Sequence, residues 1–322
     1  MKVTVIGCGR WGSLITWYLD KIGHDVSLCG RASSAHMQRF LAERKNDLLE
    51  LPESISLHTD YESARNADVI VISVPSQSLQ GLMDDLKPLH LQNKTFVLCM
   101  KGIEIASGRR LSQVARDNID ASCAVAVWLG PGHVQEFHAG IPNCMVIDSE
   151  DEAAKQLLVN AFSSSLIRFY YGEDLIGNEI GAAAKNVIGI AAGALDGLEL
   201  ATLKGALMSR GTREIARLIE ALGGNPFSAY GLCHLGDYEA TVFSKYSHNR
   251  RFGEMLVRGE RFDKLAEGYY TVDALMRMRE SCGVELPICE AVYNALYRDV
   301  DPRTAIDGLF RRSLKPEFWK ED

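Results

Sequence analysis

The sequence has no apolar run approaching the roughly 20 residues needed to span a bilayer. It also has no Cys-x-x-Cys pair among its eight cysteines, no excess of basic charge, and no repeat, coiled coil or low-complexity tract. Each absence excludes something. Without a spanning run the chain is expected to insert into no membrane, and the apolar stretch nearest the N-terminus, Val3 to Ile6, is too short for a signal-peptide core. Cysteines scattered through apparent strands (Cys29, Cys99, Cys144) and helices argue against a disulfide framework or a metal site, and for a reduced, cytoplasmic protein. A net charge of −7 offers no field for nucleic acid or an anionic membrane, so any anion site must be assembled locally from a few Arg or Lys. With solenoids and fibres excluded, what is left is an ordinary globular composition. It is 47% hydrophobic and 24% charged over 322 residues, a length suited to about two domains.

What is present is an alternation of short apolar runs with amphipathic stretches through the first half. Lys2 to Ile6 and Asp25 to Cys29 read as strands. Asp68 to Ile72, Thr95 to Cys99 and Ala124 to Trp128 are apolar on both faces, the pattern of parallel strands buried between helix layers. Cys144 to Asp148 and Leu166 to Tyr171 are two further strand candidates. The alternation predicts an α/β fold with an N-terminal Rossmann-type, doubly wound sheet. After Gly172 the texture changes to long helix-period segments rich in Ala, Leu, Glu and Arg, broken at Gly223 to Pro226, Gly231 to Gly236 and Gly283. This predicts a dinucleotide-binding domain over residues 1–174 and an all-α, substrate-binding domain over 175–322, whose apolar helical surfaces are compatible with a homodimer.

The motif Gly7-Cys-Gly-Arg-Trp-Gly12 follows the first strand and opens a helix at Ser13 to Leu19. In that context Gly7 permits the tight turn, Gly9 lets a pyrophosphate approach the backbone, Gly12 allows close helix-to-strand packing, and the helix N-terminus faces the negative charge. An NAD-selective site places an acidic residue at the end of the second strand to hold the ribose hydroxyls. Here the chain has Cys29-Gly-Arg-Ala-Ser-Ser34 instead. Arg31, with Ser33 and Ser34 beside it, suits a 2′-phosphate, so NADP(H) is the favoured cofactor and NAD(H) the alternative. The plain alternative for Arg31 is an ordinary exposed arginine.

Lys185 lies in an otherwise small or apolar run, Glu179 to Gly193. At helical spacing its neighbours are Gly181, Ala182, Ile188 and Gly189, a notch wide enough to admit a ligand. A buried ammonium without a partner costs several kcal/mol or more, so such a lysine serves chemistry or holds a counter-ion nearby. A stem that snorkels to water is the plain alternative. Met100-Lys-Gly102 follows a buried strand at the end where ligands sit in open α/β sheets, and Gly236-Asp-Tyr238 lies in a glycine-flanked loop. Lys101 would project over the cofactor, and Asp237 would balance the two cations. Singly, each is as well read as a solvated loop lysine and a turn-forming aspartate.

Taken together these segments resemble the NAD(P)-dependent glycerol-3-phosphate dehydrogenase family in its bacterial form. The resemblance runs over nearly the whole chain and also takes in Leu129-Gly-Pro131, Ala184 to Gly193, Leu235-Gly-Asp237, Ser247 to Gly253, Ala266-Glu-Gly268 and Gly283 to Ile288. It implies reduction of dihydroxyacetone phosphate to sn-glycerol 3-phosphate by NAD(P)H in a cleft between the two domains, with a product that heads glycerophospholipid synthesis. It makes Lys185 the group that protonates the carbonyl oxygen as hydride arrives, a role suited to a lysine whose pKa is lowered by desolvation and a neighbouring cation. Lys101 and Asn186 then bind and orient the substrate, Asp237 and Thr241 polarise its hydroxyl end, and Gly130, Gly132, Ser247, His248 and Asn249 line the substrate site, Asn249 helping to hold the phosphate. On the cofactor side it implies Gly7, Gly9, Arg10, Trp11, Gly12, Arg31, Lys101, Val134, His248, Leu265 and Glu267, with Glu267 reaching the ribose.

The departures from the family pattern cluster at the anion site. Ser-Arg-Asn becomes Ser247-His248-Asn249, Gly-Pro-Ser-Phe becomes Gly130-Pro-Gly-His133, Gly-Ser-Trp-Gly becomes Gly9-Arg-Trp-Gly12, and Lys45 to Pro52 replaces an Asn-Pro-x-Tyr-Leu-Pro loop. A histidine is only partly protonated near neutral pH, so phosphate binding through His248 is expected to be weaker or pH-dependent. Arg10, Arg250 or Arg251 is available to replace the lost charge. Two rival readings follow: a reductase of the same two-domain build acting on another hydroxy or keto acid, and a non-catalytic NADP-binding regulator.

Overall fold

A computed structural model describes residues 1–317. Its first half is built on eight strands: β1 (Lys2–Ile6), β2 (Asp25–Cys29), β3 (Ser56–His58), β4 (Val69–Ile72), β5 (Thr95–Leu98), β6 (Ala124–Leu129), β7 (Asn143–Ser149) and β8 (Ile167–Tyr171). They form one sheet in the order β3-β2-β1-β4-β5-β6-β7-β8, parallel throughout except where β7 runs against β6. Strand order reverses between β1 and β4, the switch point at which open α/β sheets bind ligands. Register places the carboxyl ends together: Ile6 lies opposite both Cys29 and Ile72, and Ile72 opposite Leu98. The segments after β1, β5 and β6 therefore share one edge. The doubly wound sheet expected from the alternation is present, with one strand, β3, that the sequence did not reveal. That strand is only three residues long, partly polar and half-exposed at the sheet edge, so it carries no hydrophobic period.

Helices α1 (Arg10–Lys21), α2 (Ala35–Glu43), α3 (Leu79–Leu86), α4 (Leu111–Arg116), α5 (Val134–His138) and α6 (Glu152–Phe162) cover the sheet. Helix α1 starts three residues before the predicted Ser13, because its first turn lies in the glycine motif itself. It buries Leu14, Ile15, Tyr18 and Leu19 on one face of the sheet with Trp128, while Leu79, Met83 and Leu86 of α3 pack on the other. Helical periodicity in α1 and α3 puts those side chains on a single stripe each, which is why both seal a sheet face.

The second half is helical: α7 (Leu175–Gly197), α8 (Lys204–Ala221), α9 (His248–Val257), α10 (Glu267–Cys282), α11 (Pro287–Tyr297) and α12 (Pro302–Phe310). Helix α7 is buried along nearly its whole length, as its uniformly small or apolar sequence requires. It is tied to the sheet half by Glu179, whose carboxylate accepts from Arg110 Nη1 at 2.6 Å, Ser112 N at 2.9 Å and Ser112 Oγ at 2.6 Å. The glycine notch beside Lys185 is filled by protein. A Cβ on Gly181 would lie 3.0 Å from Cβ of His234, and one on Gly189 would lie 2.7 Å from Cγ2 of Thr241. Further along, a Cβ on Gly193 would run into the carbonyl of Arg250, and one on Gly253 into that of Ile190. The small residues let α7 and α9 meet backbone to backbone, the arrangement that brings the start of α9 to the site.

Candidate active site

Where β1 passes into α1, Gly7 has φ +116° and a Cβ there would strike the Ser73 carbonyl, while a Cβ on Gly12 would strike the carbonyl of Gly7. Both positions are closed to side chains by the turn. Gly9 has open space where a Cβ would stand, the room an approaching pyrophosphate needs. Trp11 Nε1 is buried beside this turn without a hydrogen-bond partner. At the end of β2, Arg31 is exposed, and Ser34 caps α2 by accepting from Met37 N at 3.4 Å. Across the cleft Glu267, the first residue of α10, accepts from Ser76 N at 3.1 Å. Burial pushes the Glu267 pKa up against the hydrogen bonds from Ser76. Val134 opens α5 and is buried; Leu265 is exposed just before α10. An open glycine at a helix N-terminus, beside an indole N–H without a partner, fits a bound dinucleotide.

Three charged side chains from three separate segments converge beyond this turn. Lys101, just after β5, donates to Asp237 Oδ2 at 2.6 Å and to the carbonyl of Gly130 at 2.6 Å. Lys185, from the middle of α7, lies 3.0 Å from the same Oδ2 and donates to Thr241 Oγ1 at 2.8 Å. Thr241 passes its own proton to the Asp237 carbonyl at 2.7 Å from within a π-helical turn, Glu239–Phe243, an irregularity frequent at functional sites. Burial pushes the Lys185 pKa down to about 8 against the attraction of Asp237, and the charge of Lys101 adds to the depression. The second oxygen of Asp237 is buried and without a partner, so an acceptor is available to a ligand hydroxyl. Asn186, next to Lys185, donates to the Lys101 carbonyl at 2.8 Å.

At the start of α9 the three side chains expected at the substrate site also make contacts within the protein. Ser247 accepts from Arg250 N at 3.2 Å and serves as the helix cap. Asn249 bridges protein groups, donating to Asn186 Oδ1 at 3.0 Å and accepting from Gly268 N at 2.9 Å; these bonds fix Asn186 and α10 and use one of the two amide N–H groups. His248 lies between a carbonyl and a guanidinium. Its Nδ1 lies 3.2 Å from the Leu265 carbonyl and its Nε2 3.3 Å from Arg10 Nη1. A carbonyl only accepts and a guanidinium only donates, so the proton is on Nδ1 and Nε2 carries a lone pair. Burial first, and then the nearby cations Arg10, Lys264 and Arg251, push its pKa below the usual histidine value. A lowered pKa agrees with the weaker phosphate contact expected at His248, whose imidazole faces an arginine. Arg250 is turned away to Asp196, at 2.6 Å.

Two histidines of the site were not singled out from the sequence. His133 follows Gly130-Pro-Gly132 at the end of β6, its ring 5.5 Å from that of Tyr246. Its Nε2 is buried without a partner. Burial lowers its pKa, and the fields of Lys185, Asp237 and Lys101 reach it. The available signal was a histidine in place of a family phenylalanine next to the substrate loop. Gly132 beside it has φ +143°, and a Cβ there would enter the Phe137 ring, so the missing family hydroxyl has no room in this backbone. His234 donates from Nδ1 to the Gly181 carbonyl at 2.8 Å and accepts at Nε2 from Tyr238 at 2.7 Å. It locks the turn that carries Asp237, a role with no local sequence signal.

Comparison with known proteins agrees with this arrangement over both halves. The family model described as NAD-dependent glycerol-3-phosphate dehydrogenase N-terminus matches residues 2–155, and that of the C-terminus matches 174–307. A Thermoanaerobacter protein named glycerol-3-phosphate dehydrogenase [NAD(P)+] is 32% identical over 330 residues, with 99% of each chain covered. One of that name, numbered 1, from Salinibacter ruber is 34% identical, with 99% of this chain and 97% of the relative covered. The crystal structure of glycerol-3-phosphate dehydrogenase from Coxiella burnetii superposes with a TM-score of 0.90 at 28% identity, covering 97% of this chain and 99% of that one. With both halves of the family matched in order and a pair of lysines clasping one buried aspartate between them, this chain belongs to the NAD-dependent glycerol-3-phosphate dehydrogenase family.

Proposed function

We propose that the protein interconverts dihydroxyacetone phosphate and sn-glycerol 3-phosphate, using NADP(H) in preference to NAD(H), and so feeds glycerophospholipid synthesis. The observation that carries this reading is the buried Asp237 carboxylate, which holds Lys101 and Lys185 on one oxygen and leaves the other without a partner. When bound, the nicotinamide supplies the hydride. Lys185, with a pKa near 8, delivers a proton to the carbonyl oxygen in reduction and takes it back in oxidation. Lys101 is held by Gly130 and Asp237 where it can orient the substrate, Asn186 fixes the Lys101 backbone, and the open oxygen of Asp237, with Thr241, accepts from the terminal hydroxyl. Arg31 is assigned to the 2′-phosphate.

In this reading residues 1–174 bind the cofactor and 175–322 the substrate, the last five of these lying outside the described residues. The reading also includes a cytoplasmic setting and a homodimer formed through the helical half, where Phe227 and Phe310 are 76% and 69% exposed; sedimentation at several concentrations tests the dimer. No helix among the described residues is long and apolar enough to cross a membrane. The deciding assay is initial-rate NADPH oxidation with dihydroxyacetone phosphate beside non-phosphorylated keto acids. Preference for the phosphorylated triose is the expected result. A keto acid that turns over faster would transfer the site to a related reductase, and absence of any hydride transfer would leave a cofactor-binding regulator.

A further inference from the structure

Two of the departures from the family pattern touch each other. The family serine inside the glycine motif is Arg10 here, and the family arginine at the start of α9 is His248. These positions, 238 residues apart, meet at 3.3 Å between Arg10 Nη1 and His248 Nε2. The guanidinium missing from one side of the contact is present on the other. Arg10 is the first residue of α1 and His248 the first residue of α9, so the contact joins a side chain of the cofactor turn to one at the start of α9. A guanidinium is a permanent charge in a planar fork of donors, the geometry that matches a phosphate.

The other candidates for the lost charge are less well placed. Arg250 faces Asp196 at 2.6 Å and Glu254 at 3.8 Å, and Arg251 is exposed like Arg10, but it is Arg10 that meets His248. His248 has its Nδ1 proton engaged by the Leu265 carbonyl at 3.2 Å, so its remaining nitrogen can only accept. One guanidinium N–H goes to that nitrogen, which leaves four donors in a planar fork for a ligand. Ser13 Oγ donates to the Arg10 carbonyl at 3.1 Å and steadies the backbone beneath it.

Resting on the function proposed above, we infer that Arg10, delivered by the cofactor turn and oriented by His248, is the residue that binds the phosphomonoester of the substrate. The cation has moved across the domain boundary: the helical half supplies an acceptor that aims it, and the sheet half supplies the charge. A phosphate on this arginine has two sources, the substrate and the cofactor pyrophosphate, which uses the same turn.

The test uses four full-length proteins: wild type, Arg10→Ser, His248→Arg and the double variant Arg10→Ser/His248→Arg, which restores the family arrangement. Arg10 is exposed, so its removal leaves the core untouched. The readouts are KM and kcat for dihydroxyacetone phosphate at saturating NADPH, and the Kd of NADPH alone from its fluorescence. Loss of a charge-assisted contact predicts a KM raised roughly tenfold to a hundredfold in Arg10→Ser, with a much smaller change in the NADPH Kd. His248→Arg alone sets guanidinium against guanidinium and should not tighten binding, whereas the double variant should return KM toward wild type, a coupling that separate sites would not show.

An unchanged KM in Arg10→Ser overturns the assignment. An NADPH Kd that rises as far as KM overturns it too, and gives Arg10 to the cofactor. If wild type does not turn over dihydroxyacetone phosphate, the proposed function fails by itself. Binding of inorganic phosphate to the NADPH-saturated wild type and to Arg10→Ser then decides the anion site: weaker binding in the variant sustains it, and equal binding removes it.

Discussion

Lys185 and Asp237 meet at 3.0 Å inside the molecule, through side chains 9% and 1% exposed. Lys101 takes the same carboxylate oxygen at 2.6 Å, so one negative charge answers two positive ones. The pair sits in a contest between burial, which disfavours the ammonium, and the aspartate, which favours it. Burial wins, and the lysine comes to a pKa of about 8, in the range where an amine can both give and take a proton at working pH.

Lys185→Ala should lower kcat for carbonyl reduction by a factor on the order of 10²–10⁴, the usual contribution of a positioned acid or base. NADPH affinity should hold, because the lysine lies beyond the glycine turn. Single-turnover rates and cofactor titration separate the two effects. A variant that keeps near-normal turnover would remove Lys185 from the proton path.

Reduction requires the protonated lysine, so kcat/KM in that direction should be level below pH about 8 and fall above it, while oxidation rises through the same interval. Asp237 raises the Lys185 pKa, so in Asp237→Asn the falling limb should move to lower pH. Profiles in both directions check this. A reduction rate that holds level up to the ordinary lysine value of 10.5 would mean that the titrating group is another.

The imidazole of His133 has a buried Nε2 with no partner, a situation that costs about 1–3 kcal/mol. His133→Phe removes that cost with a ring of similar shape, and ligand-free protein carrying it should melt higher. Calorimetry without cofactor or substrate makes the comparison. A lower midpoint would show that the nitrogen is satisfied in the folded protein.

Gly193→Ala should destabilise the protein by about 1–3 kcal/mol or more, because the new methyl would enter the Arg250 carbonyl and push α9 away from α7. Since α9 carries His248 and Asn249, substrate KM should rise as well. Gly205→Ala, on α8 with nothing within 4 Å of the new methyl, is the contrasting case and should be neutral or stabilising by up to about 1 kcal/mol. Equal denaturation midpoints for the two would contradict the close packing of α7 on α9.

Much of the framework was legible before any coordinates. The short apolar runs announced the strands to within a residue or two, because a strand buried on both faces must be apolar throughout. The one strand missed, β3, lies at the sheet edge and has little apolar surface to show. Lys185, Lys101 and Asp237 could each be picked out, the cost of burying unpaired ions suggested that they meet, and the family resemblance supplied their roles. The glycines around Lys185 were misread as room for a ligand, since composition tells that a position is small but not what fills it. There His234, Thr241 and the start of α9 do.

From residue order alone came the sheet-then-helices architecture, the dinucleotide turn and the chemical types gathered at the site, because these depend on local periodicity, on backbone freedom at glycine and on the intrinsic cost of a buried charge. The tertiary structure decided what lies between distant segments. It set the sharing of one aspartate oxygen by two lysines, the tautomer of His248 held between Leu265 and Arg10, and the orphaned nitrogen of His133. Those features depend on distances of about 3 Å between groups far apart in the chain, and only packing of the helical half onto the sheet brings such groups within reach.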